Sequence, residues 1–214
     1  MGKVITFAQQ KGGAGKTTLL VHLAHSWILA GRKVAVIDID PQKSLSRWLA
    51  YGSLPGLGEI ESKDYRASSD IRNAARDFDV VLVDCPGNTS SLLEGAIRTS
   101  ELIIVPCQAT AMDVWATDAI IKMAKAENVK SVVVMNRVPV RQEAVENAVH
   151  ALTQAGATVL NARIGNRVAF SSGFPDGKTA LDNPRKSVAK AEIEALREEI
   201  DALQTQQKRG IFGR

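Results

Sequence analysis

Short apolar runs alternate with longer mixed stretches along the whole chain. VITFA (4–8), VAVIDID (34–40), DVVLVDCPG (79–87), ELIIVP (101–106), SVVVMN (131–136) and ATVLNARI (157–164) are rich in β-branched residues. Most are apolar at successive positions rather than at every second one, the pattern of strands buried on both faces. Between them the apolar residues recur at helical spacing. The clearest case is 16–30, where Leu19, Leu20, Leu23 and Trp27 share a face and Gly31 ends the run. Further helices are predicted over 42–50, 69–76, 89–98, 113–125, 141–155 and 184–204. Residues 52–68, with their glycines and serines, read as a connection.

Strands separated by helices predict an α/β fold, a mostly parallel twisted sheet with helices on both faces. Right-handed crossovers bring every strand's C-terminal end to one edge of such a sheet. Polar residues cluster at those ends: Lys11, Asp38, Asp40, Asp84 and Asn136. The chain is long enough for one sizeable core, and 1–214 is expected to be a single domain.

The chemistry starts with QQKGGAGKTT (9–18). Gly12, Gly13 and Gly15 allow the backbone to wrap around phosphate with its N–H groups inward. The helix that follows adds its positive end. Lys16 is placed to reach the outer phosphates of a nucleotide and Thr17 to ligate Mg²⁺. Lys11, Gly12, Gly13, Ala14, Gly15, Lys16, Thr17 and Thr18 therefore form the candidate cradle. Gln10 stands where the usual phosphate loop begins with glycine, and Lys11 is a second lysine within the loop. Asp84 closes an apolar strand and is a candidate Mg²⁺ ligand. DIDPQ (38–42) offers two more carboxylates. Asp40 is the candidate for orienting the attacking water. Asp38 either supports the metal or caps the next helix.

KGGAGKTT, DIDPQ and VDCPG, in that order and spacing, resemble the deviant Walker A ATPases of the ParA/MinD family, over most of the chain. The resemblance implies a P-loop NTPase fold with ATP and Mg²⁺ as cofactors; Lys11, Lys16 and Asp40 are the catalytic candidates, and hydrolysis is expected to be slow because no glutamine or second base is evident beside Asp40. It also implies an ATP-dependent sandwich homodimer in which Lys11 reaches the partner's phosphates. MNRVP (135–139) resembles the purine-recognition segment, which assigns Asn136 to the adenine edge. PCQATAMD (106–113) resembles a loop that contacts nucleotide or partner, and Asp113 is carried over from it. Gln10 before KGG is similar to the ParA branch rather than the membrane-associated MinD branch. A small ParA is implied, cytoplasmic and nucleoid-associated, moving plasmid, chromosome or protein cargo, with a ParB-like or other adaptor that stimulates hydrolysis. Because the chain begins at its first strand, the N-terminal DNA-binding extension of larger ParA proteins is expected to be missing.

Charge adds a candidate surface. The formal net charge is +4, and residues 161–190 hold six basic against two acidic side chains, while the remainder balances. Arg163, Arg167, Arg185, Lys186 and Lys190 are the predicted contacts to DNA, sequence-neutral because phosphates carry no base information. Two cysteines, Cys85 and Cys107, lack close spacing and read as free thiols in a reducing compartment. An iron–sulfur reading on those two, in the manner of the nitrogenase iron protein, is opposed by Cys85 directly following Asp84. No apolar run is long enough to span a membrane. The tail, 206–214, with Ile211 and Phe212 as its apolar residues, is expected to be disordered and not to bind membranes stably. The alternatives kept open are a MinD-like membrane-associated ATPase and an ATP-dependent small-molecule enzyme of the dethiobiotin synthetase type. Lys11 argues against a purely monomeric enzyme.

Overall fold

The computed structural model describes residues 1–211 except 53, 89 and 184–186, and the backbone alone of 64, 204 and 206–211. Seven strands, β1 (Lys3–Phe7), β2 (Val34–Asp38), β3 (Leu57–Glu59), β4 (Val80–Asp84), β5 (Leu102–Cys107), β6 (Lys130–Val138) and β7 (Val159–Gly165), form one sheet. The order is β3-β2-β4-β1-β5-β6-β7, and every pairing is parallel. Around it lie α1 (Lys16–Leu29), α2 (Ser44–Tyr51), α3 (Ala67–Asp77), α4 (Ser91–Thr99), α5 (Ala111–Ala126), α6 (Glu143–Gln154), the short α7 (Ala169–Ser172) and α8 (Val188–Ile211).

Alternation along each strand divides the interior in two. Ile5, Phe7, Val34, Val36, Val80 and Leu82 face α1, α2 and α8, through Leu23, Trp27, Trp48, Ile193 and Leu196. Val4, Ala35, Ile37, Val81 and Val83 face α3 to α6, through Ile71, Leu93, Ile120 and Val145. A strand covered on both faces must be apolar at every position, which is why these runs lack a polar side. Helix α1 is buried from Leu19 to Trp27 because it lies between the sheet and α8. Its Trp27 Nε1 donates to Asp201 on α8 at 3.1 Å.

The predicted elements are present, with three differences. β3 lies inside the stretch read as a connection. Three residues at a sheet edge, two half-buried and Glu59 exposed, need no long apolar run. A short helix, α7, and a 3₁₀ turn over Phe174–Asp176 occupy the ground before the last helix. That last helix starts at Val188, not 184, and continues to Ile211, so 206–211 are helical where a disordered tail was expected. Residues 212–214 of that tail, and Arg185 and Lys186 of the predicted DNA surface, lie outside the described residues.

β1 sits between β4 and β5, so the chain leaves it toward β2 on one side and later returns past it to β5 on the other. In open α/β sheets such a switch point leaves a crevice beyond the strands' C-terminal ends. The loop after β1 fills that position.

Candidate active site

The loop from Ala8 to Gly15 is shaped by two left-handed glycines, Gly13 (φ 76°) and Gly15 (φ 96°). A side chain at Gly15 would also collide with Asn136 Nδ2. Two of its carbonyls are held from neighbouring strand ends. Asn136 Nδ2 donates to Ala14 O at 2.7 Å, and Gln108 Nε2 to Gly13 O at 3.1 Å. With carbonyls drawn aside, the loop's N–H groups are available to an anion. Gly15 caps α1 without a side-chain bond, and the first turn of α1 has no acidic residue. The helix's opening N–H groups and positive end are thus unneutralised. Lys16 arches back to within 3.4 Å of Gln9 O. Gly87, after β4, passes beneath it: a side chain there would approach Gln10 O and the Lys16 ammonium.

Thr17 Oγ1 donates to Asp84 Oδ2 at 2.6 Å. Asp84 is fully buried, and its Oδ1 has no hydrogen-bond partner. Burial pushes this carboxyl up to about 7; the Thr17 bond and the Lys16 charge pull it down, and Asp38 and Asp40 push it further up. A buried carboxylate oxygen without a donor, among like charges, is suited to a cation. Thr17 and Asp84 together fit Mg²⁺, which takes few protein ligands and keeps several waters.

Asp38 is otherwise engaged. Its Oδ2 accepts from the backbone and hydroxyl of Ser46 at 2.8 and 2.9 Å, and its Oδ1 accepts from Asp40 N at 3.0 Å. This is the helix-bracing alternative, and it shapes the turn that carries Asp40. Asp40 is half-buried and accepts from Gln42 N at 2.9 Å.

Lys11 has a local partner, which the sequence reading did not foresee. Its ammonium is bonded to Asp113, on the first turn of α5, and Thr110 donates to the same carboxylate oxygen. Asp113 is fully buried and its Oδ1 has no partner, whereas the Lys11 side chain is 37% exposed. Gln9, also buried, connects the two regions by donating to Thr117 Oγ1 at 2.9 Å and to Pro106 O at 3.0 Å. Gln9, Gln108 and Thr110 were missed because glutamine and threonine occur everywhere; no local pattern marks them.

Asn136 is used on both sides of its amide, toward Ala14 and toward Arg137 N at 2.9 Å. It lines a cavity beside the loop, bounded also by Thr18, His22, Asn166 and Phe170. His22 accepts from Ala180 N at 3.0 Å through Nε2, so its Nδ1 carries the proton toward Thr18 O at 2.7 Å. Burial lowers its pKa to about 4 despite that bond.

The predicted DNA surface is altered by neighbours distant in sequence. Arg163 pairs with Glu146 at 2.6 Å, Arg167 with Glu192 at 2.6 Å, and Lys190 reaches Glu194 at 4.0 Å. The positive excess counted along 161–190 is therefore offset in space by α6 and by the following turns of α8. Cys85 and Cys107 are fully buried, and burial raises both thiols. A cluster bridging two subunits needs exposed thiolates, so the iron–sulfur reading falls.

Residues 5–179 match the family model described as the CobQ/CobB/MinD/ParA nucleotide binding domain. Maintenance of carboxysome distribution protein A of Halothiobacillus neapolitanus is 23% identical over 206 residues, covering 92% of this chain and 95% of that protein. Among solved structures, the cell division ATPase MinD of Pyrococcus furiosus superposes with a TM-score of 0.81 at 21% identity, over 95% of this chain and 100% of that one. The septum site-determining protein MinD of Pyrococcus horikoshii, solved with Mg-ADP, gives 0.79 at 20% identity, over 95% and 98%.

Proposed function

The chain belongs to the CobQ/CobB/MinD/ParA nucleotide-binding domain family, and from that premise we propose that it is a ParA-type ATPase that binds ATP with Mg²⁺, dimerises around it and positions a cargo. The observation that supports this reading best is the pairing of Thr17 with the buried, half-satisfied Asp84 beneath an anion cradle that carries two lysines. Bound Mg²⁺ would neutralise charge on the outer phosphates. The loop N–H groups and the start of α1 would hold the phosphates, and Lys16 would pair with the outer ones. Asp40, on the turn braced by Asp38, would orient the attacking water. Lys11 would exchange Asp113 for the nucleotide of the second copy, as a cation supplied in trans. Turnover is slow in this reading, because Asp40 stands without a second base.

The relative's name concerns distribution of carboxysomes, and a protein assembly, plasmid or chromosome is the cargo class proposed here, with an adaptor that accelerates hydrolysis. Non-specific DNA is the proposed track. The ion pairs of Arg163, Arg167 and Lys190 do not prevent this, since exposed pairs contribute roughly 0–1 kcal/mol and phosphates compete with carboxylates for the same cations. Two copies held rigidly bind a polyanion with more avidity than one. Light scattering with ATP–Mg²⁺ tests the assembly: the wild type should dimerise, Lys11→Ala should bind nucleotide yet remain monomeric, and Lys16→Ala should lose nucleotide. Normal dimerisation of Lys11→Ala would remove the trans role. Retention on DNA should require ATP and fall steeply with salt; equal retention with ADP would remove DNA from the reading.

A further inference from the structure

Two of the three tryptophans, Trp27 and Trp48, are 1% exposed, while the third, Trp115, is 68% exposed. It lies one turn beyond Met112 on α5, and Met112 is 62% exposed. Spacing of three residues puts both on one face of the helix. The same two turns send Asp113 and Thr117 inward, where both are fully buried. A large ring and a thioether left in water side by side are unusual on a surface, and Trp and Met are enriched in the buried centres of interfaces.

The position of the pair identifies the occupant. Asp113 holds Lys11, Thr117 receives Gln9, and Gln108 at the end of β5 holds Gly13. Met112 and Trp115 are therefore fixed relative to the lysine that, in the proposed function, enters a second copy. Any subunit whose nucleotide Lys11 reaches must lie against the opening turns of α5. Exposed apolar side chains continue along the same sheet edge, at Val140 (98%) after β6 and Val168 (79%) after β7. A two-fold contact presents the same patch from both sides, so one such pair is used twice.

We propose that Met112 and Trp115 form the apolar anchor by which one copy of this chain docks on another, beside the Lys11 loop. The inference rests on the ATP-dependent dimer of the preceding subsection. It is tested by light scattering over a concentration series with ATP–Mg²⁺, on the wild type and on Met112→Ser, Trp115→Ala and Trp115→Phe. Monomer ADP affinity is measured alongside. Trp115→Ala should raise the dimer dissociation constant about 30-fold or more, the scale of an interface hot spot. Its ADP affinity should be unchanged, which also reports that the variant is folded. Tryptophan emission of the wild type should shift to shorter wavelength on dimerisation, and Trp115→Phe should lose that shift. If the wild type dimerises and Trp115→Ala does so at the same concentrations, with no emission shift, the anchor is refuted and the dimer stands. If the wild type remains monomeric with ATP–Mg²⁺ at every concentration, the dimer itself is wrong and the anchor falls with it.

Discussion

Lys11 and Asp113 show how much one side chain's state depends on what it meets. The carboxylate is buried with one oxygen unpartnered, and the lysine that neutralises it is partly in water. Breaking such a pair is costly to the buried member and inexpensive to the exposed one. Asp113→Asn keeps the shape, removes the charge and frees Lys11. It should shift the monomer–dimer equilibrium with ATP several-fold toward the dimer, read by light scattering; an unchanged equilibrium would separate the pair from assembly. His22 gives a second residue-scale expectation. Its folded pKa, about 4, lies below the ordinary 6.5. The folded state therefore favours the neutral ring, so its contribution is complete above pH 6.5 and is lost as pH falls toward 4. Since one unit corresponds to about 1.4 kcal/mol, the loss is on the order of 3 kcal/mol. NMR titration should find His22 neutral at pH 5, and a midpoint near 6.5 would contradict the burial argument.

At the scale of elements, the phosphate loop works because β1, β5 and β6 end together. Asn136 and Gln108 reach the loop only through the parallel register that aligns β5 with β6. Gly15 occupies the tightest point, with positive φ and no room for a β-carbon. Gly15→Ala should reduce nucleotide affinity by about 100-fold or more, near 2.7 kcal/mol, since both the backbone conformation and the Asn136 contact would have to change. Calorimetric titration with ADP checks the affinity, and circular dichroism should show the helices retained. Wild-type affinity in this variant would mean that the loop opens more easily than its contacts suggest.

For the whole molecule, the proposed binding and turnover roles fall to side chains carried by different strand ends. The cradle follows β1, Asp84 ends the neighbouring β4, and Asp40 stands on the turn after β2, the next strand out, close enough to act on the Asp84 carboxyl. Asp40→Ala should therefore bind ATP and dimerise but hydrolyse about 10²-fold more slowly or worse, the usual contribution of a positioned acid or base. The dimer would then persist after ATP is added in limiting amount, which size-exclusion chromatography follows over time. Normal turnover would assign the water to another group.

The phosphate loop, the Asp84 strand, the DIDPQ turn and the alternation of strands and helices were legible in the sequence. Each depends on contacts within a few residues: glycine's tolerance of positive φ, the period of a strand buried on both faces, the spacing that lets Lys16 and Thr17 follow one helix start. The three-residue β3 was not legible, because a half-buried edge strand imposes almost no local pattern. Side-chain partners were decided by packing. The brace that Asp38 gives the first turn of α2 depended on Ser46 arriving at 2.8 Å. The partnership of Lys11 with Asp113 depended on β5 lying beside β1. The basic count over 161–190 changed meaning once α6 set Glu146 against Arg163. Local sterics and periodicity act along the chain, so they can be read from it; electrostatic and hydrogen-bond partners act through space, so only the folded arrangement determined them.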